Sequence, residues 1–190
     1  AAPILDNSSL FEEYDQFSQE IRLTSPGGET VDYIAGAFYQ DSSLDFGDNI
    51  NVPRDSLLRI LANPFAGVST RRAFEQDTEV WAVFAQATWN VSDAWRLIFG
   101  ARYTEEEKDG HCKQAHYDTT GAEILPGSPL YVPYNSLWSV VGVEPNEIEG
   151  SRNEDAFTPQ FVVQWDATED VMLYASCVEG FNSGGYDNRS

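Results

Sequence analysis

The feature that most restricts this chain is a period-two pattern whose apolar faces end in aromatic rings on both sides. One stretch reads Trp81, Val83, Ala85, Ala87 and Trp89 on one face, against Ala82, Phe84, Gln86, Thr88 and Asn90 on the other. Side chains alternate across an extended strand, so such a stretch has one wholly apolar side and one mixed side. The next stretch repeats the arrangement, with Trp95, Leu97, Phe99, Ala101 and Tyr103 opposed to Arg96, Ile98, Gly100, Arg102 and Thr104. Val31, Tyr33, Ala35, Ala37 and Tyr39 form a third such face, and Phe157, Pro159, Phe161, Val163 and Trp165 a fourth. Helical periodicity is nearly absent. Six strands are predicted, over residues 15–25, 30–41, 77–90, 94–104, 156–166 and 171–183.

The connections carry as much information as the strands. Ser25-Pro26-Gly27-Gly28-Glu29, Val91-Ser92-Asp93 and Ala167-Thr168-Glu169-Asp170 are tight, turn-forming links. Each should join an antiparallel hairpin. The other two connections are long, about 42–76 and 105–155. The order short, long, short, long, short is that of a transmembrane β-barrel with small turns on the periplasmic side and large loops outside. The ring-capped faces support this. The aromatic ends of three of them lie eight residues apart, about 20 Å along the axis of a tilted strand, against a lipid-facing band about 25 Å tall with aromatic girdles. Tyr33, Tyr39, Trp81, Trp89, Trp95, Tyr103, Phe157 and Trp165 are the expected girdle. Indole N–H and phenol O–H groups suit that depth, because the ring sits in acyl chain while the polar tip reaches water. Arg96 and Arg102 are then expected to point inward, since an Arg facing lipid at mid-depth costs ~2–4 kcal/mol.

A soluble antiparallel sandwich used for binding or adhesion would also alternate apolar and polar faces, and it stands as the alternative. The first and last strands fit the barrel less well. Tyr174 has the wrong parity for an outward ring, which a bulge or an early exit near Val178 would explain. A short helical turn over 54–62 is suggested by Leu57, Leu58 and Leu61.

Composition closes off other classes. The chain of 190 residues carries 31 Asp and Glu against 11 Lys and Arg, a formal charge of −20. Nucleic acid is excluded as a partner, because phosphate binding needs clustered cations. The longest apolar run, 80–85, falls far short of the ~20 residues a spanning helix needs. Cys112 and Cys177 are too few for a disulfide framework or a four-cysteine zinc site. The single Met is Met172 and no signal-peptide pattern opens the chain, so it reads as processed or cut from something longer.

The whole run of strands resembles the barrel of a TonB-dependent outer-membrane receptor. The resemblance rests on Phe17-Ser18-Gln19-Glu20-Ile21-Arg22-Leu23-Thr24, on Asp32-Tyr33-Ile34-Ala35-Gly36-Ala37-Phe38-Tyr39-Gln40 and on Ala82 to Trp89. It continues in Trp95 to Lys108, Phe157-Thr158-Pro159-Gln160-Phe161 and Val171 to Ser176, running into Glu179-Gly180-Phe181-Asn182-Ser183-Gly184-Gly185. It implies a barrel of about 22 strands around a plug domain. It also implies residence in the bacterial outer membrane and import of a ferric siderophore or similar large nutrient, driven by TonB through the plug. On that reading residues 1–190 are part of one barrel domain, with no plug present and Cys177 where an aromatic is usual.

Catalysis is not expected. Glu105-Glu106-Glu107 reads as a solvated rim, because consecutive strand residues point to alternate sides. No serine has the setting of a nucleophile. His111-Cys112-Lys113-Gln114-Ala115-His116 is the one metal-like string, and it lacks further ligands nearby, so neither metal nor cofactor is expected. Carboxylates in the long loops suit divalent cations that bridge lipopolysaccharide. Arg54, Arg59, Arg71 and Arg72 of the first long loop are candidate contacts for an anionic iron chelate.

Overall fold

The computed structural model describes residues 6–52, 68–139 and 143–186. The expected hairpins form. β1 (Asp6–Thr24), β2 (Val31–Asn51), β3 (Ser69–Asn90), β4 (Trp95–Tyr117), β5 (Asn146–Thr168) and β6 (Val171–Val178) make one antiparallel sheet in chain order. It is an all-β up-and-down meander, open at β1 and β6. The described residues form a single sheet, so the sandwich alternative is not the fold adopted. A helix, α1 (Tyr131–Ser139), lies in the second long connection. The helical turn suggested over 54–62 lies outside the described residues.

The turns are built by their own residues. Gly27 and Gly28 both take positive φ, 86° and 81°, which residues with a Cβ reach only with strain. The Asp32 carboxylate accepts the N–H groups of Gly28 and Glu29, each at 3.3 Å. Between β3 and β4, the Trp95 N–H donates to Ser92 Oγ at 3.2 Å.

The first five strands are far longer than the sequence pattern indicates, and the long connections are correspondingly shorter, 52–68 and 118–145. β3 to β5 have 22, 23 and 23 residues, roughly 55 Å along a tilted axis and more than twice the height of a lipid band. The reason lies in a change of phase. Within the ring-capped part, odd-numbered residues are apolar and exposed. Beyond Tyr39, Trp81, Tyr103 and Phe157 the odd positions become Asp41, Asp45, Glu75, Asp77, Glu79, Glu105, Glu107 and Asp155, while the even positions become the enclosed ones, such as Phe74, Cys112 and His116. Apolar-out alternation ends there, but pairing does not.

The sheet curls toward its even-numbered face. Arg102 of β4 lies 5.5 Å from the Phe38 ring of β2, two strands away. Gly36 makes room for the curl: a Cβ there would stand 2.5 Å from Phe84 Cζ on the next strand. β6 leaves the sheet at Val178, which is the early exit suggested by the misplaced parity of Tyr174, and its register is shifted between Asp166 and Thr168.

Candidate functional site: a wall with two faces

The register gathers the eight expected girdle residues into two rows on the convex, odd-numbered face. Tyr39 pairs with Trp81 and Tyr103 with Phe157. The Trp81 and Tyr103 rings meet at 5.6 Å. At the short-turn end Trp95 pairs with Trp165, their rings stacked at 5.5 Å. Trp89 lies opposite Leu97, and Tyr33 opposite Ala87. Between the rows stand Ala35, Ala37, Val83, Ala85, Phe99, Ala101 and Phe161, with Phe99 and Phe161 in ring contact at 5.1 Å. Trp81, Trp89, Phe99 and Trp165 keep 39–48% of their surface exposed. An exposed apolar surface this large and continuous marks a face that meets something other than water.

The concave, even-numbered face at the same height is polar. Arg96 and Arg102 both lie on it, as expected. Arg96 is ion-paired to Asp166. Arg102 stands between the rings of Phe38 and Phe84 and donates to Thr104 Oγ1 at 3.0 Å. Glu20, Arg22, Gln86, Thr158 and Gln160 line a hollow here with Arg102. Gly100 is part of its lining and adds no side chain to it.

Above the upper aromatic row the convex face is strongly acidic and the concave face is packed. α1 rests on the inside of β3 and β4. Trp138 is 1% exposed and stacks on His116 at 5.8 Å. Thr70 Oγ1 lies 2.7 Å from His116 Nδ1. Val68, Ile124 and Tyr134 form a small core beside them. Burial holds the His116 imidazole below its ordinary value near 6.5, because the charged ring has lost its water. The undocked state therefore binds the proton more readily than the docked one. Docking of α1 is at full strength above about pH 6.5 and weakens as pH falls from there toward the lowered value. The protection of amides over 131–139, taken relative to their intrinsic exchange rates, should fall between pH 7.5 and 5.5 in the wild type, and His116→Gln should flatten that dependence.

The two candidate arginines among the described residues do not form one cluster. Arg71 and Arg72 are strand residues of β3, not loop residues, and they point to opposite faces. Arg71 lies on the outside over the Tyr117 ring at 4.4 Å. Arg72 lies inside, 3.8 Å from Asp48 and donating to Gln114 Oε1 at 3.2 Å. Arg54 and Arg59 lie outside the described residues.

The metal-like string belongs to β4, where His111 and His116 have opposite parity. His111 Nε2 stands 3.2 Å from Glu147 on the convex face while His116 is buried inside. No group of three His, Cys, Asp or Glu fit to hold a metal is found among the described residues. Cys112 is buried and Cys177 exposed, both as free thiols. Glu105 and Glu107 are on the outer face, but Glu106 is not a solvated rim residue: it turns inward, largely enclosed, and pairs with Lys108. That inward cluster was missed because its cations, Lys108 and Arg152, lie in what reads as loop.

The structure is similar to the ferric yersiniabactin uptake receptor FyuA from Yersinia pestis, with a TM-score of 0.61 and 16% identity over 91% of this chain and 22% of that chain. The chain thus spans about a fifth of that receptor's length. The family described as TonB dependent receptor-like, beta-barrel, matches residues 3–190. With six strands in unbroken up-and-down order and a match along nearly its whole length, the chain belongs to the TonB-dependent receptor β-barrel family.

Proposed function

We propose that this chain is a section of wall in an outer-membrane import receptor, with the ring-capped band in lipid and the even-numbered face lining the passage. The observation that carries the reading is the pairing of two aligned aromatic rows, about 20 Å apart, with only apolar residues between them and a polar face behind. In this setting the short turns lie on the periplasmic side and the long connections outside the cell. The convex carboxylates above the upper row then stand at the level of the lipopolysaccharide headgroups, and divalent cations bridge the two. Nitroxide labels at Ala85 and Phe99 of the full-length receptor in bilayers should be quenched by lipid-dissolved oxygen and shielded from an aqueous nickel chelate. A label at Gln86 should show the reverse. A dry, quencher-free site at Ala85 would sink the reading.

The cargo we propose is a ferric chelate of the siderophore type, moved by TonB acting through a plug domain. Support comes from family membership and from the likeness to a receptor whose named ligand is ferric yersiniabactin. Of the two candidate arginines among the described residues, Arg72 is the one on the even-numbered face, where Asp48 and Gln114 engage it. The wall has no catalytic role.

A further inference from the structure

We propose that residues 179–186 form a releasable strap, docked on the inner wall by a quartet of charges and a glycine-lined notch. The proposal rests on the even-numbered face being the lumen side. β6 ends at Val178, where the Glu179 N–H donates to the Pro159 carbonyl at 3.1 Å. The chain then crosses onto the concave face of β4 and β5, above the upper aromatic row.

Three successive cross-strand pairs receive it. Glu106 is opposite Glu154, Lys108 opposite Arg152, and Gly110 opposite Gly150. Two of these pairs put like charges face to face, which is unfavourable in a sheet. The strap relieves them. Ser183 Oγ donates to Glu106 Oε1 at 2.9 Å, and the Gly184 N–H donates to Glu154 Oε2 at 3.0 Å. Lys108 Nζ donates to Ser183 Oγ at 2.7 Å and to the Gly184 carbonyl at 2.9 Å. The Gly184 N–H, and then Arg152, hold the Glu154 carboxyl below its ordinary range.

Shape agrees with charge. The Tyr186 ring fills the space that side chains at the paired glycines would occupy. A Cβ on Gly110 would lie 2.6 Å from Tyr186 Cδ2, and one on Gly150 would lie 3.0 Å from its hydroxyl. A Cβ on Gly184 would meet the Arg152 guanidinium at 2.6 Å. The glycines thus admit the strap on both sides of the contact.

Two features make the docking reversible. The ion pairs Glu106–Lys108 and Arg152–Glu154 each lie within one strand, so they survive the strap's departure. The Tyr186 hydroxyl is enclosed with no hydrogen-bond partner among the described residues, a cost that the undocked state does not bear. Docked and free states therefore differ by a modest free energy, as expected of an element that moves. Docked, the strap narrows the passage along this wall. Free, it clears the notch.

The test uses the full-length receptor in its outer membrane, with Cys112→Ser and Cys177→Ser as background. Ser183→Cys should react slowly with an impermeant maleimide, and Tyr186→Ala should speed that labelling about tenfold, a shift of ~1.4 kcal/mol. Ser183→Cys with Glu106→Cys should form a disulfide under mild oxidant and abolish labelling. Labelling of Ser183→Cys as fast as that of an outward Ser151→Cys would overturn the proposal, as would no effect of Tyr186→Ala or no disulfide. Tyr186→Ala lies in the strap and leaves every strand unchanged. Oxygen quenching at Ala85, read separately, reports the lipid band and so tells a failed strap from a failed barrel.

Discussion

Ala85→Arg in the full-length receptor is expected to cost ~2–4 kcal/mol and to deplete the assembled receptor in the outer membrane. Ala85 sits midway between the aromatic rows, with Ala35 and Ala101 as its cross-strand neighbours, all on the convex face. With the ring-capped face in lipid, as proposed, an Arg midway between the rows would stand away from water and from any charged partner. The adjacent Gln86→Arg should cost well under ~1 kcal/mol, because it turns into the polar hollow beside Glu20 and Gln160. The measurement is the heat-modifiable folded fraction of each variant, together with urea-dependent folding into vesicles. Equal effects of the two substitutions would show that the two faces meet the same medium.

Trp138→Ala should be the most damaging change outside the lipid band. Removing a fully buried Trp costs about 3–5 kcal/mol, and here the loss falls on one small unit. Trp138 is the lid on His116, and the core of Val68, Ile124 and Tyr134 is too small to hold α1 alone. The expected result is local: residues 118–139 detach and become open to protease, while the aromatic rows and the hairpin turns keep their protection. Limited proteolysis with mass mapping distinguishes this from global loss. Cleavage confined to this segment supports the reading, and general cleavage contradicts it.

The hairpins and the strand order were legible in the sequence because an apolar face alternates with a mixed face along the central strands, between short turn-forming links. The upper halves of the strands were not. Asp41 to Asn51 and Ser69 to Asp77 follow the reverse rule, with Asp41, Asp45, Glu75 and Asp77 outside and Leu44, Phe46 and Phe74 inside. At the crossover the two patterns cancel, and the stretch reads as polar loop. Arg71 and Arg72 illustrate the consequence: as loop residues they look like one cationic patch, but as strand neighbours they are on opposite sides of a wall. Glu106 and Lys108 were hidden in the same way. Their inward partners, Ser183 and Gly184, are about 75 residues distant along the chain, and local spacing holds no trace of such a meeting. The inward turn at Glu179 was foreshadowed only by the parity of Tyr174.

The reversal of polarity partway up each strand also bears on how the molecule avoids misassembly. A strand obeying one rule that slips by a single residue puts one set of side chains in the wrong medium. A slip of β3 past β2 would here commit two errors together, carrying Gln86 and Thr88 onto the apolar ring-capped face while pulling Glu75 and Asp77 into the packed interior above. Each half proofreads the other, so a sheet this tall can be matched along its full length without relying on its three small turns.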